Sequence, residues 1–309
     1  MPELPEVEAL AAFLDGKLAG RTVAAATPIA FQALKTYDPP LSAVEGRTFD
    51  GVGRRGKFLD MRFRSEVWSG GTQGNTELGD LHLVIHLARA GWIRWKDELP
   101  TRPVRPGKGP IALRLALAEP GSAGPASSAG LDVTEAGTQK RLAISLVRDP
   151  ADVPGIARLG IEPLSPEFTA EALIELLGSE RRQIKGVLRD QGTIAGIGNA
   201  YSDEILHAAR MSPFKIAAKL TPAEVADLHS IAVATLTEAV ERSRGLPLTE
   251  LKSEKKSGLR VHGRKGEPCP VCGDTIREVS FSDSALQYCA TCQTGGKPLA
   301  DRRLSRLLK

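Results

Sequence analysis

An α+β chain, with an N-terminal β-sandwich behind a leading helix and a helical C-terminal part ending in a metal-binding hairpin, is predicted by three features of the 309-residue sequence. One amphipathic segment opens the chain and is followed by short apolar runs cut by Gly, Pro and Asp. After a proline-rich stretch at 150–166 the apolar period becomes helical. Four cysteines, the whole complement of the chain, cluster near its end. The expected divisions are 1–150, 151–260 and 261–309.

Residues 5–18 (PEVEALAAFLDGKL) read as a helix, because Pro5 suits a first turn and Val7, Leu10, Ala11, Leu14 and Leu18 recur at helical spacing. Strands are expected at Val23–Ile29, Thr48–Val52, Phe58–Phe63, His82–Leu87, Gly91–Lys96, Ile111–Ala118 and Arg141–Val147, a series of short strands that suits a sandwich. Gly- and Ser-rich stretches at 69–80 and 119–130 are expected loops. Helices are expected at Thr169–Leu177, Arg181–Asp190, Asn199–Arg210 and from Pro222 to Arg244, the last capped by Thr221 and stopped by Gly245. The Lys- and Ser-rich stretch 252–258 reads as a polar connection, and 267–296 as a cysteine-bearing hairpin.

Apolar residues make up 41% of the chain, enough for real cores, so global disorder is excluded. The total charge is only +4, but residues 251–309 hold twelve Lys or Arg against six Asp or Glu. That leaves −2 for the rest, and a basic terminal module on a near-neutral body suits a phosphate-rich partner. A solvated tail is the plainer reading of the same charges. No apolar run approaches the roughly 18 residues of a membrane span, and the acidic, proline-bearing start is unlike a signal peptide. A cytoplasmic, nucleoid-associated monomer is expected, with its thiols reduced.

Cys269, Cys272, Cys289 and Cys292 form C-x2-C-x16-C-x2-C. Two such pairs can close a tetrahedral four-sulfur site around one structural zinc. A disulfide pairing is disfavoured in the cytosol, and a redox CxxC would need a βαβ setting that is absent here.

Pro2 and Glu3 are a chemical group in waiting. Methionine is ordinarily trimmed before a small residue such as Pro, exposing a secondary amine. An α-amino group is roughly one-tenth free base at neutral pH, against a few ten-thousandths for an ordinary lysine. Its attack on an aldehyde-like sugar carbon gives an iminium, an electron sink that permits loss of a neighbouring proton and of a phosphate. Glu3 would serve as general acid/base, with Glu6 in the helix that follows. A helix start that merely carries Pro and acids is the structural alternative, since carboxylates favour a helix N-terminus.

The string PELPEVE (2–8) resembles the opening of the formamidopyrimidine-DNA glycosylase/endonuclease VIII family. GRRGKFL (53–59), IKGVLRDQGTIAGIGNAYSDEIL (184–206), VHGRKGEPCPVCG (261–273) and YCATCQ (288–293) are similar to further family motifs, in the same order. The resemblance implies a helix-two-turns-helix domain, a zinc finger, and damaged DNA, duplex or single-stranded, as partner. It implies that Pro2 holds the sugar as an imine while a flipped, damaged base is released and the strand is nicked. Lys57 and Asn199 would grip phosphates beside the lesion, with Lys185 and Arg264 as further DNA contacts. Asn199 would also be a helix N-cap by its chemistry.

Three departures from the family pattern follow. The arginine expected five residues before the third Cys is Ser284, with Arg277 elsewhere in the hairpin. The segment expected to hold an Arg–Phe wedge reads DPADVPG (149–155). The other void-filling position, normally methionine, is Arg89, which would then face the DNA. Their loss should weaken the preference for a particular opposite base. A short connection from Gly245 to Arg260, with FQALKTYD (31–38), leans toward the endonuclease VIII branch and oxidised pyrimidines. Two other functions fit the same fold: a non-catalytic binder of damaged DNA, and a glycosylase for bulky adducts or crosslinks.

Overall fold

The computed structural model describes residues 1–64, 79–100, 102, 104–105, 109–118, 129–281 and 284–300. The expected loops at 69–80 and 119–130 fall almost wholly outside the described residues, as does the basic end 301–309. The chain forms two compact units: Met1–Pro2, Glu6–Arg158 and Arg244–Leu251 make the first, and Glu3–Pro5, Leu159–Ser243 and Lys252–Lys309 the second.

The first unit contains helix α1 (Leu4–Leu18) from Glu6 onward and eight strands. These are β1 (Thr22–Pro28), β2 (Phe49–Arg55), β3 (Phe58–Phe63), β4 (Leu81–His86), β5 (Gly91–Lys96), β6 (Ile111–Ala118), β7 (Gly130–Glu135) and β8 (Ala143–Val147). They build two antiparallel sheets, β1-β6-β7-β5 and β2-β3-β4-β8. Alternate residues of both point into one core: Leu59, Met61 and Phe63 from one sheet, Leu113, Leu115 and Leu117 from the other. Period-two burial on both sheets is what makes this a sandwich. The helical stripe Val7, Leu10, Ala11, Leu14 and Leu18 closes onto the same core.

Two elements differ from expectation here. Strand β7 was not foreseen, because its sequence GLDVTE follows a Gly/Ser run and carries two acids. Arg114 Nε and Nη2 grip the Asp132 carboxylate at 2.7 and 2.9 Å from the neighbouring strand, which makes that acid tolerable. Residues 244–251, expected with the helical part, belong to the first unit. Leu248 and Leu251 are buried in the sandwich core, and Trp92 Nε1 donates to the Leu248 carbonyl.

The second unit holds α2 (Ala170–Gly178), α3 (Ile184–Arg189), α4 (Asn199–Ala208), α5 (Pro222–Ser243) and α6 (Leu251–Gly258) from Lys252 onward. Thr221 and Glu224 form a reciprocal capping box at the start of α5, as Thr221 foretells. The hairpin pairs β9 (Ile276–Ser280) with β10 (Ala285–Cys289) and ends in α7 (Ala290–Thr294). Helix α6 corrects the expected polar connection. Its sequence LKSEKKSG has little apolar face, but Glu254 takes Arg242 Nε at 2.8 Å and Ser243 Oγ at 3.2 Å, which ties the segment to the end of α5. Among the described residues no helix is long and apolar enough to cross a membrane.

Candidate active site

The site is organised by the start of α4. A helix leaves its first backbone N–H groups without partners, and a side chain at the N-cap normally supplies them. Here the N-cap is Gly198, which has no side chain, and Asn199 is the first helical residue rather than the expected cap. The missing carboxylate comes from Glu3. Its Oε2 accepts from Gly198 N at 2.7 Å and Tyr201 N at 3.3 Å, and its Oε1 from Ala200 N at 2.9 Å. All three neighbours are donors, so the arrangement holds a carboxylate anion at the positive end of a helix. Glu3 is only 2% exposed.

The turn before the helix explains how Glu3 is admitted. Gly196 has φ +82, which glycine adopts without strain, and Leu4 N donates to its carbonyl at 3.0 Å. At Gly198 an added Cβ would lie 2.5 Å from Glu3 Cδ, so only glycine leaves room for the carboxylate. Pro2, one residue earlier, is buried, whereas Met1 is half-exposed at 49%. While Met1 is attached the Pro2 nitrogen is an amide; its removal creates the amine. Glu6 lies in the first turn of α1 and is buried.

In the first unit Lys57 sits in the two-residue turn between β2 and β3, where Arg55 pairs with Phe58, and is largely buried. Its charge acts on His86, across the sheet from Phe58. Burial, and secondarily Lys57, push the His86 imidazole down to about 4. The unfolded chain therefore takes up a proton first, near 6.5. Stability from the neutral ring is whole above that pH and is lost as pH falls toward 4, at up to about 1.4 kcal/mol per pH unit. In urea titrations, the stability gap between wild type and His86→Asn should narrow across this range. A gap independent of pH would contradict a buried neutral His86.

Lys185 does not face solvent as a phosphate contact. Its Nζ reaches Asp203 Oδ1 at 2.6 Å, Ser202 Oγ at 2.8 Å and the Asn199 carbonyl at 3.2 Å, and the residue is buried. Asp203 and Ser202, on the α4 side facing α3, offer acceptors that draw the ammonium inward; burial pushes its pKa down while Asp203 opposes that. Asn199 directs Nδ2 to the Ala285 carbonyl at 2.7 Å. Arg264 is tied to Glu267 and the Ser257 carbonyl. Arg89 is exposed, following Ala88 at φ +51. At the hairpin, Ser284 lies in the turn with its carbonyl accepting from Phe281 N, and Arg277 is on β9 opposite Tyr288. Residues 150–152 form a 3-10 turn capped by Asp149.

The four cysteine sulfurs lie within 4.8 Å of one another, with Cys269–Cys292 at 3.9 Å and Cys272–Cys289 at 3.4 Å. A tetrahedral zinc with Zn–S bonds of about 2.3 Å requires sulfurs roughly 3.8 Å apart. None is disulfide-bonded. Burial raises the Cys289 thiol to about 11 and raises Cys292 as well. The residues fit one structural zinc, which would lock the hairpin.

Several residues of the site carried no individual signal in the sequence. Glu204 accepts the backbone N–H groups of Arg260, Val261 and His262, and Asp203 Oδ2 takes His262 Nδ1 and Gln287 N. His207 Nε2 lies 3.3 Å from Cys269 Sγ, while its Nδ1 is buried without a hydrogen-bond partner. Burial lowers the His207 pKa, which favours the neutral ring. An acidic pair, Asp203–Glu204, inside a buried helix is the hint that α4 clamps something.

The models of three domain families match in order: the formamidopyrimidine-DNA glycosylase N-terminal domain over residues 1–122, the formamidopyrimidine-DNA glycosylase H2TH domain over 159–248, and the zinc finger found in FPG and IleRS over 266–295. A DNA glycosylase is the class that these parts define. The formamidopyrimidine-DNA glycosylase of Symbiobacterium thermophilum is 34% identical over 323 residues, covering 98% of this chain and 93% of that protein. An uncharacterized formamidopyrimidine-DNA glycosylase-like protein of Mycobacterium tuberculosis is 56% identical over 159 residues, 52% of this chain and 99% of that one. The crystal structure of the MutM (FPG) protein from Thermus thermophilus superposes with a TM-score of 0.74 at 28% identity, over 96% of this chain and all of that chain. The chain belongs to the formamidopyrimidine-DNA glycosylase/endonuclease VIII family, enzymes of base excision repair with DNA glycosylase and abasic-site lyase activity.

Proposed function

We propose that the chain excises oxidised bases through an imine at Pro2 and then nicks the strand by β-elimination. The amine freed by removal of Met1 attacks C1′ of the damaged nucleotide as the base departs; the C1′–O4′ bond then opens, with Glu3 delivering a proton to O4′, and leaves an iminium. Loss of a C2′ proton then expels the 3′ phosphate, and water releases the sugar. The observation that carries the reading is the Glu3 carboxylate, one peptide bond from that amine and held by three backbone donors. So rigid a mount suits a group that must serve one reacting centre. Lys57 and Asn199 are the proposed phosphate contacts, with Arg264 and Arg89 in supporting roles and Glu6 steadying the N-terminal helix.

The protein is proposed to act as a monomer on chromosomal DNA. Serine at position 284 favours β- over β,δ-elimination, since the cation expected there is absent. The short 245–260 connection and residues 31–38 favour the endonuclease VIII-like branch and an oxidised pyrimidine; a competition between such a lesion and 8-oxoguanine in the same duplex tests that preference.

The imine is tested by incubating Met1-trimmed protein with abasic-site DNA and borohydride. A covalent complex is expected with wild type and not with Pro2→Gly. Failure of the wild type to trap would leave the non-catalytic binder as the better reading.

A further inference from the structure

Glu3 has a further neighbour, contributed from 252 residues away. Lys255 Nζ on α6 lies 3.8 Å from Glu3 Oε1, with the lysine side chain only 15% exposed. The same ammonium sits 4.9 Å from the centroid of the Tyr201 ring. Tyr201 belongs to the first turn of α4, and its own N–H is one of the three on Glu3. Helix α6 is placed for this by Glu254, which Arg242 and Ser243 grip at the end of α5. Adjacent helical residues point about 100° apart, so anchoring Glu254 on α5 presents Lys255 to α4.

A casual surface pair is the plainer reading. Two things oppose it: both partners are largely withdrawn from water, and ordering a lysine against an aromatic face and a carboxylate costs side-chain freedom and desolvation. The lysine faces Oε1, the edge of the carboxylate that Ala200 N also holds.

We propose that Lys255 is a positioning residue for base excision, which holds the Oε1 edge of Glu3 and stabilises its carboxylate before and after Glu3 relays a proton from the Pro2 ammonium to the reacting sugar. The proposal rests on the reading of Glu3 as acid/base in the imine mechanism. An ammonium beside a carboxylate favours its charged form, so Lys255 keeps Glu3 in the state that accepts the proton and restores that state once the proton is passed on. Removing it should therefore slow chemistry more than it weakens binding.

The test compares wild type with Lys255→Met, Lys255→Arg and Glu254→Gln, all full-length and zinc-loaded. Single-turnover excision is measured with enzyme in excess, and affinity on a duplex carrying an uncleavable abasic analogue. Lys255→Met should lose on the order of tenfold in excision rate, with affinity changed far less. Lys255→Arg, which keeps the charge, should recover most of the rate, and Glu254→Gln should show a partial loss in the same direction. Wild-type excision by Lys255→Met, equal losses of rate and affinity, or equal slowing by Met and Arg would each overturn the proposal. Borohydride trapping by wild type is scored separately: its absence defeats the imine reading, whereas trapping with an unimpaired Lys255→Met defeats only the role given to Lys255.

Discussion

Gly198→Ala is expected to lower base excision by about a hundredfold while leaving the β-sandwich folded. The backbone at Gly198, φ −126 and ψ −152, lies at φ below zero, so the cost is one of space rather than conformation. The new Cβ would sit 2.5 Å from Glu3 Cδ and 2.7 and 2.8 Å from its two oxygens, so the carboxylate must leave. Its departure strips the first turn of α4 of three hydrogen bonds, a loss comparable to removing an N-cap, about 1–2 kcal/mol. Single-turnover excision and thermal melting check both parts. A near-normal rate in Gly198→Ala would mean that Glu3 does not act from its seat on α4.

Asp203→Ala is expected to destabilise the second unit by about 3–5 kcal/mol, the cost of leaving a buried charge without its partner. Asp203 joins three segments: Lys185 on α3 by Oδ1, and His262 and the Gln287 amide of the hairpin by Oδ2. Its loss leaves Lys185 with only Ser202 Oγ and a carbonyl, and two further donors without an acceptor. Urea denaturation gives the stability, and Lys185→Met is the companion variant. The buried pair predicts that Lys185→Met loses stability and little DNA affinity. The reverse outcome, unchanged stability with weakened DNA binding, would return Lys185 to the role of phosphate contact that the family resemblance implies.

Much of the fold was legible because its signals are local. The apolar stripe of α1, the alternation in β3 and β4, and the Thr221 capping box depend on residues within a few positions of one another, where periodicity and cap chemistry operate. Strand β7 escaped because Asp132 reads as a loop residue until Arg114, on another strand, neutralises it. Helix α6 escaped for a similar reason: its formation depends on Glu254 meeting Arg242, twelve residues back at the end of a different helix.

The candidate site divides the same way. The four cysteines declared themselves by spacing, since a metal's ligand geometry is written into short intervals between like residues. Lys185 looked like any lysine of a DNA-binding motif, and only the position of Asp203 turns it inward. Lys255 was one of several lysines in a polar stretch until α6 placed it against Glu3 and Tyr201.

The N-terminal Pro2–Glu3 pair, the cysteine pattern and the order of the parts were determined by the sequence alone, because each rests on covalent neighbours or short spacings. That Glu3 caps a helix beginning almost two hundred residues later, that Gly198 makes room for it and that Lys255 faces its Oε1 were decided only by the tertiary structure. An anion's partners are whichever donors folding brings within about 3 Å, and no local pattern of residues specifies them.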